Sequence, residues 1–76
     1  MKACVTGATG FIGGNLVQAL LNKKYTVRAL VLPGDPKIQE LKKNKVEVVL
    51  GDIRDMESVK KAVKGCDVVF HCAAVV

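Results

Sequence analysis

Three glycines spaced three apart, Gly7, Gly10 and Gly13, sit in the stretch VTGATGFIGGNL from Val5 to Leu16. An apolar run, Lys2-Ala-Cys-Val-Thr6, leads into them, and residues with helical spacing follow. A short apolar run that ends in glycine reads as a strand buried on both faces. Phe11 to Lys23 carries apolar residues at 12, 16, 17, 20 and 21, one inward stripe of a helix. In a strand–loop–helix unit each glycine has its own task. Gly7 permits a tight turn off the strand, Gly10 lets backbone come close to a pyrophosphate, and Gly13 lets the helix pack against the sheet. The free N–H groups and positive dipole end of the helix then point at the phosphates. Glycine spacing alone is weak evidence, but the strand before it and the helix after it supply the context that a phosphate-binding turn requires. The competing reading is a tight turn that binds nothing.

The rest of the chain alternates in the same way. Val27 to Leu32 reads as a second strand, Pro33-Gly34-Asp35-Pro36 as a turn, and Lys37 to Asn44 as a short helix with Ile38 and Leu41 inward. Val46 to Leu50 is a third strand, closed by Gly51-Asp52. Asp55 is placed to cap a helix running to Lys64, with Gly65 stopping it, and Asp67 to Cys72 is a fourth strand. The order β-α-β-α-β-α-β predicts an α/β fold with a parallel four-stranded sheet and right-handed crossovers. Doubly wound, its strand order is 3-2-1-4, with the first two helices on one face and the third on the other. At 76 residues this is one half-Rossmann unit spanning 1–76, with no linker, repeat or second domain. A chain of this size buries only roughly 60% of its extended surface.

Composition removes several classes of function. Half of the residues are hydrophobic, which argues for a packed core and against disorder. The net charge of +5 comes from lysines near predicted helix ends, where they suit the helix dipole. No aromatic residue is interleaved among them to stack on bases, so nucleic acid is not the expected partner. No apolar run approaches membrane-spanning length and no signal peptide is visible. Cys4, Cys66 and Cys72 form no C-x-x-C pair and read as reduced thiols, which points to a reducing, cytoplasmic setting. No metal-ligand spacing occurs: Asp52 and Asp55 read as a cofactor-loop residue and a helix cap.

The stretch VTGATGFIGGNLVQALL resembles the start of the extended short-chain dehydrogenase/reductase family, which includes nucleotide-sugar epimerases and reductases of the dihydroflavonol reductase type. YTVRALVLPGD resembles that family's second strand and turn, and VEVVLGDIRDMESVKKAVKGCDVVFHCAAVV its third strand, third helix and fourth strand. The resemblance implies an NAD or NADP site. Gly7, Gly10 and Gly13 match the dinucleotide loop, and Phe11 and Ile12 its phosphate-contacting end. Asp52 and Ile53 match the pair beside the adenine, and Ala73 and Ala74 the small residues that line the cofactor after the fourth strand. Val31 stands where an NAD-selecting acid belongs. Members that use NADP often read V-R-A-x-V-R here. Arg28 keeps the first arginine, Leu32 replaces the second, and Lys37 offers a charge from the next loop. With no acid there to repel a 2′-phosphate, the sequence leans to NADP, and Arg28 is either its partner or a solvated strand residue.

The family's chemistry needs a Tyr-x-x-x-Lys pair and a Ser or Thr. The sole tyrosine, Tyr25, is followed by Thr26-Val27-Arg28-Ala29, so no catalytic residue is expected among these 76 and no turnover by the family's mechanism. His71 reads as structural, and none of the cysteines as a nucleophile. The expected role is a module that holds the ADP part of NAD(P). The alternative is a structural, self-associating fragment with little ligand affinity, and a third reading is part of a full epimerase or reductase. Val68 to Cys72 is expected to be an apolar strand with an open edge, which predicts a homodimer joined there. The chain thus reads as an isolated half-domain, whether truncated, reconstructed or designed.

Overall fold

The computed structural model describes residues 1–72. Seven elements follow one another: β1 (Lys2–Thr6), α1 (Phe11–Asn22), β2 (Thr26–Val31), α2 (Ile38–Lys43), β3 (Glu47–Leu50), α3 (Met56–Val63) and β4 (Val68–His71). All strand pairs are parallel, in the order β3-β2-β1-β4, as the alternation of elements predicts.

Each strand sends alternate side chains to opposite faces, and both faces are covered. Ala3, Val5, Val27, Ala29 and Val31 pack under Val17 and Leu20 of α1 and Leu41 of α2. Cys4 and Leu30 pack under Ala62 of α3, with Val49, Val59, Val63 and Cys66 around them. Burial on both faces explains why the interiors of β1 and β2 are apolar apart from Arg28. Ile12, counted in the inward stripe of α1, is instead 72% exposed. It lies in the first turn, and the stripe that seats the helix begins one residue later with Gly13, Val17 and Leu20.

Helix α3 is fastened at both ends. At its start the Asp55 carboxylate accepts from the Glu57 N–H at 3.3 Å, an N-cap, and from the Ser58 hydroxyl at 3.0 Å. Its end is held by Arg28. This guanidinium donates through Nη1 to the carbonyls of Lys64 (2.6 Å), Ala62 (2.9 Å) and Lys61 (3.4 Å), and through Nε to Glu47 (3.0 Å). Arg28 therefore corrects both sequence readings. It is neither solvated nor at the ligand end of β2: it is 9% exposed and capped onto the last carbonyls of α3, at the level of Cys4 and Glu47 in the sheet. A cation at a helix C-terminus meets the negative end of the dipole and carbonyls that have no intrahelical donor. The bond to Glu47 raises the Arg28 pKa, and bonds from Arg28 and then Lys2 hold the Glu47 carboxyl below its ordinary range.

β3 and β4 are the sheet's outer strands. On β4, Val68 and Phe70 pack into the α1 side, while Val69 on the other side is 46% exposed. Burial pushes the Cys4 thiol up to about 11, aided by Cys66, and the three cysteines are free thiols. Replacing Arg28 by Met strands buried carbonyls and should cost about 2–3 kcal/mol. Urea denaturation would show this as a lower midpoint at unchanged slope.

Candidate functional site

The carboxyl ends of β1, β2 and β3 open into a cleft of about 260 Å³. Thr6, Gly7 and Thr9 form its floor, Leu30, Val31, Leu32 and Asp35 one wall, and Gly51, Asp52, Ile53 and Arg54 the other. In open parallel sheets this is where ligands bind.

The floor is made by the glycine turn. Gly7 has φ +70°, the left-handed region that side chains disfavour. Its carbonyl accepts the Gly10 N–H at 3.1 Å, which closes the turn. Gly13 is buried, and a Cβ there would land on the Gly7 carbonyl, only 2.7 Å from its carbon. The helix thus meets the turn backbone to backbone. Gly10, as N-cap, offers no side chain, and the first turn of α1 holds no acid. The N–H groups of Phe11, Ile12 and Gly13 precede the first intrahelical donor, the Gly14 N–H that reaches the Gly10 carbonyl at 2.8 Å. Phe11 is 87% exposed beside them.

The wall from β3 is tied to α3 by a residue the sequence reading missed. The Ser58 hydroxyl accepts the Asp52 N–H at 3.2 Å while donating to Asp55. Ser58 is buried and sits so close to Gly51 that a Cβ at Gly51 would overlap it. The available signal was Asp55-x-x-Ser58, the spacing of a helix cap with its third residue. Asp52 in turn accepts from Arg54, through the backbone N–H (2.9 Å), Nε (3.1 and 3.2 Å) and Nη2 (2.7 Å). These bonds hold the Asp52 carboxyl well below its ordinary value, at about 2.

Of the residues singled out from sequence, Gly7, Leu32, Asp52 and Ile53 line the cleft. Gly10, Phe11, Ile12 and Gly13 adjoin it as the turn and first helical turn. Arg28 is not among them. Ala73 and Ala74 lie outside the described residues. Lys37 extends Nζ to the Thr9 carbonyl at 3.3 Å, bridging the β2–α2 loop to the glycine turn. Asp35, read only as a turn residue, is an acid in the cleft wall. His71 Nδ1 and Thr6 Oγ1 are hydrogen-bonded at 2.8 Å, a tie between β4 and β1. Among the described residues no cluster of side chains could hold a metal ion, and no helix is long and apolar enough to cross a membrane.

Four parallel strands in this order, with a glycine turn feeding the first helix, define the glycine-loop half of a Rossmann domain of the extended short-chain dehydrogenase/reductase type. The NmrA-like family matches residues 1–75, and the chain belongs to that family. It is 47% identical over 77 residues to cinnamoyl-CoA reductase 1 of Petunia hybrida, across 93% of this chain and 23% of that protein. It superimposes on a short-chain dehydrogenase/reductase superfamily protein from Agrobacterium tumefaciens with bound NAD (TM-score 0.78, 28% identity, 100% of this chain and 21% of that one). It superimposes also on AtPrR2 with NADP+ and (+)pinoresinol (TM-score 0.85, 30% identity, 99% and 26%). The chain therefore spans about a quarter or less of the relative's length.

Gly13→Ala should force α1 off the turn and cost about 3 kcal/mol, a large share of the roughly 4–11 kcal/mol expected for a domain of this length. Loss of far-UV helical signal at lower urea would report it. Because the folded-state pKa of Asp52 is depressed, its contribution to stability is complete above about pH 4 and is lost as pH falls towards 2. Carbon-13 titration of its carboxyl should give a midpoint near 2, and Arg54→Ala should return it towards the ordinary value.

Proposed function

We propose that this chain holds the ADP part of a nicotinamide dinucleotide and performs no hydride transfer with these 76 residues alone. The observation that carries the reading is the Gly7–Gly13 turn. It presents unpartnered N–H groups of Phe11, Ile12 and Gly13 beside a cleft that Asp52 and Ile53 wall. Such a helix start accepts phosphate oxygens through backbone donors and the dipole. The cleft, lined by Leu30, Val31, Leu32 and Ile53 with a few polar groups, suits a flat base and its ribose. Relatives that carry NAD or NADP support the class of ligand. The absence of Tyr-x-x-x-Lys from the sequence supports the absence of turnover. Within a longer protein, the same unit would supply the cofactor half of a reductase or epimerase.

The lean towards NADP has lost two of its supports. Arg28 is engaged at the far end of α3, and an acid, Asp35, does line the cleft. Leu32, 55% exposed on the rim, offers no charge to a 2′-phosphate.

A second reading, self-association with little ligand affinity, is favoured by β4, an edge strand with Val69 exposed. The homodimer would form through the 68–72 edge. Amide shifts of nitrogen-15-labelled protein on adding NAD separate the two. The dinucleotide reading expects shifts confined to residues 7–13, 52–53 and 73–74. No shift at millimolar NAD, together with twice the chain mass in sedimentation equilibrium, would replace it with the second.

A further inference from the structure

Two of the three thiols share one face of the sheet, and neither lines the cleft. Cys4 lies inside β1, wholly buried, on the face that α3 covers. Cys66 sits in the loop between α3 and β4 and packs against the same small cluster, with Leu30 and Ala62. The third thiol, Cys72, packs on the α1 face, so the sheet separates it from the other two.

The Ala62 carbonyl marks how the pair comes together. It accepts Arg28 Nη1 at 2.9 Å and the Cys66 thiol at 3.6 Å, so guanidinium and sulfur share one acceptor. Arg28 stands beside Cys4 in the β1–β2 register, and the fully buried Ala62 packs in one cluster with Cys4. The loop that carries Cys66 is tied to β1 next to it. The Asp67 N–H donates to the Lys2 carbonyl at 2.8 Å, and the Lys2 N–H to Asp67 Oδ2 at 2.7 Å. Two thiols and one cation thus converge from β1, β2 and the α3–β4 loop. Burial, and then Cys66 beside it, push the Cys4 thiol up to about 11, which keeps it protonated at neutral pH. Cys66 is only half-buried, so it is the sulfur that solvent reaches first.

We propose that Cys4 and Cys66 form a reversible disulfide, making this a thiol–disulfide exchange site whose co-reactant is a small-molecule disulfide. The Cys66 thiolate attacks one sulfur of that disulfide, a mixed disulfide forms, and one thiolate leaves. Cys4 gives its proton to water and attacks the Cys66 sulfur, and the second thiolate leaves. The two cysteines lose two electrons and two protons, and the small disulfide is reduced to two thiols. The first step removes the negative charge on Cys66 that opposes ionisation of Cys4, while Arg28 remains to favour it. The product ties the exit of α3 to an interior strand of the sheet and closes most of the chain into one loop, a link that restrains the unfolded chain.

Equilibration of the 76-residue protein with mixtures of reduced and oxidised glutathione tests it, followed by alkylation of the remaining thiols, mass spectrometry and peptide mapping. The expected product has lost two hydrogens through one Cys4–Cys66 link within a single chain, with Cys72 alkylated. Dithiothreitol should reverse it, and its urea midpoint should exceed that of the reduced protein. The link should form in the folded protein at a glutathione ratio at least about tenfold less oxidising than in denaturing urea. Cys72→Ser should form the same link. Cys66→Ser leaves the buried Cys4 in place and should keep it a free thiol. Equal ratios in folded and denatured protein would overturn the proposal, because the fold would then not bring the thiols together. So would thiols that stay reduced, a Cys66–glutathione adduct that goes no further, or a link made through Cys72 or between chains.

Discussion

Contact between the backbones of Gly13 and Gly7 sets the position of everything around the ligand end of the sheet. With no Cβ between them, the start of α1 lies on the turn that leaves β1. Had any side chain stood at 13, the helix would ride higher, and Val17 and Leu20, one and two turns further on, could not reach Ala3, Val5 and Val27. The same closeness sets the first turn of α1 beside Gly7, which lines the cleft. One steric fact thus links the core under α1 to the turn proposed to hold phosphate.

The opposite face is organised by hydrogen bonds more than by volume. Its apolar cluster is small, with Cys4, Leu30 and Ala62 as buried members. A single guanidinium compensates by gathering three carbonyls at the end of α3 and the carboxylate of Glu47. A buried cation of this kind is costly to desolvate and stays only because its donors are engaged. The arrangement places positive charge at the end of the sheet away from the cleft. Arg28 is therefore engaged at the end of α3 and does not line the cleft.

Much of the fold was legible because its causes are local. Apolar runs of five or six residues, helical stripes and punctuating glycines specify strands, helices and their order, and a parallel sheet of this pattern has few arrangements open to it. The glycine turn was legible for the same reason. Arg28 and Asp35 were not, and for opposite reasons. Position 28 looks like part of a cofactor signature along the chain, but its face and level in the sheet direct it to a helix end that is 33 to 36 residues distant in sequence. Asp35 looks like an ordinary turn residue, and its place in the lining of the cleft appears only once the turn is folded against the end of β2. Ser58 lies between these cases. Its spacing from Asp55 marks a helix start, while its second bond, to the Asp52 peptide, is made only after α3 docks against Gly51.

That second bond has a consequence for motion. Ser58 belongs at once to the first turn of α3 and to the loop that walls the cleft, so neither can open without releasing the other. Helix ends ordinarily fray independently of nearby loops, at little cost. Here fraying of α3 from its amino end would dissolve the wall beside Asp52, and a molecule seated against that wall would oppose the fraying. The wall of the cleft and the first turn of α3 are therefore coupled through one side chain, Ser58. Occupancy of the cleft would be written into the hydrogen-exchange lifetimes of amides on a helix that the occupant does not need to touch.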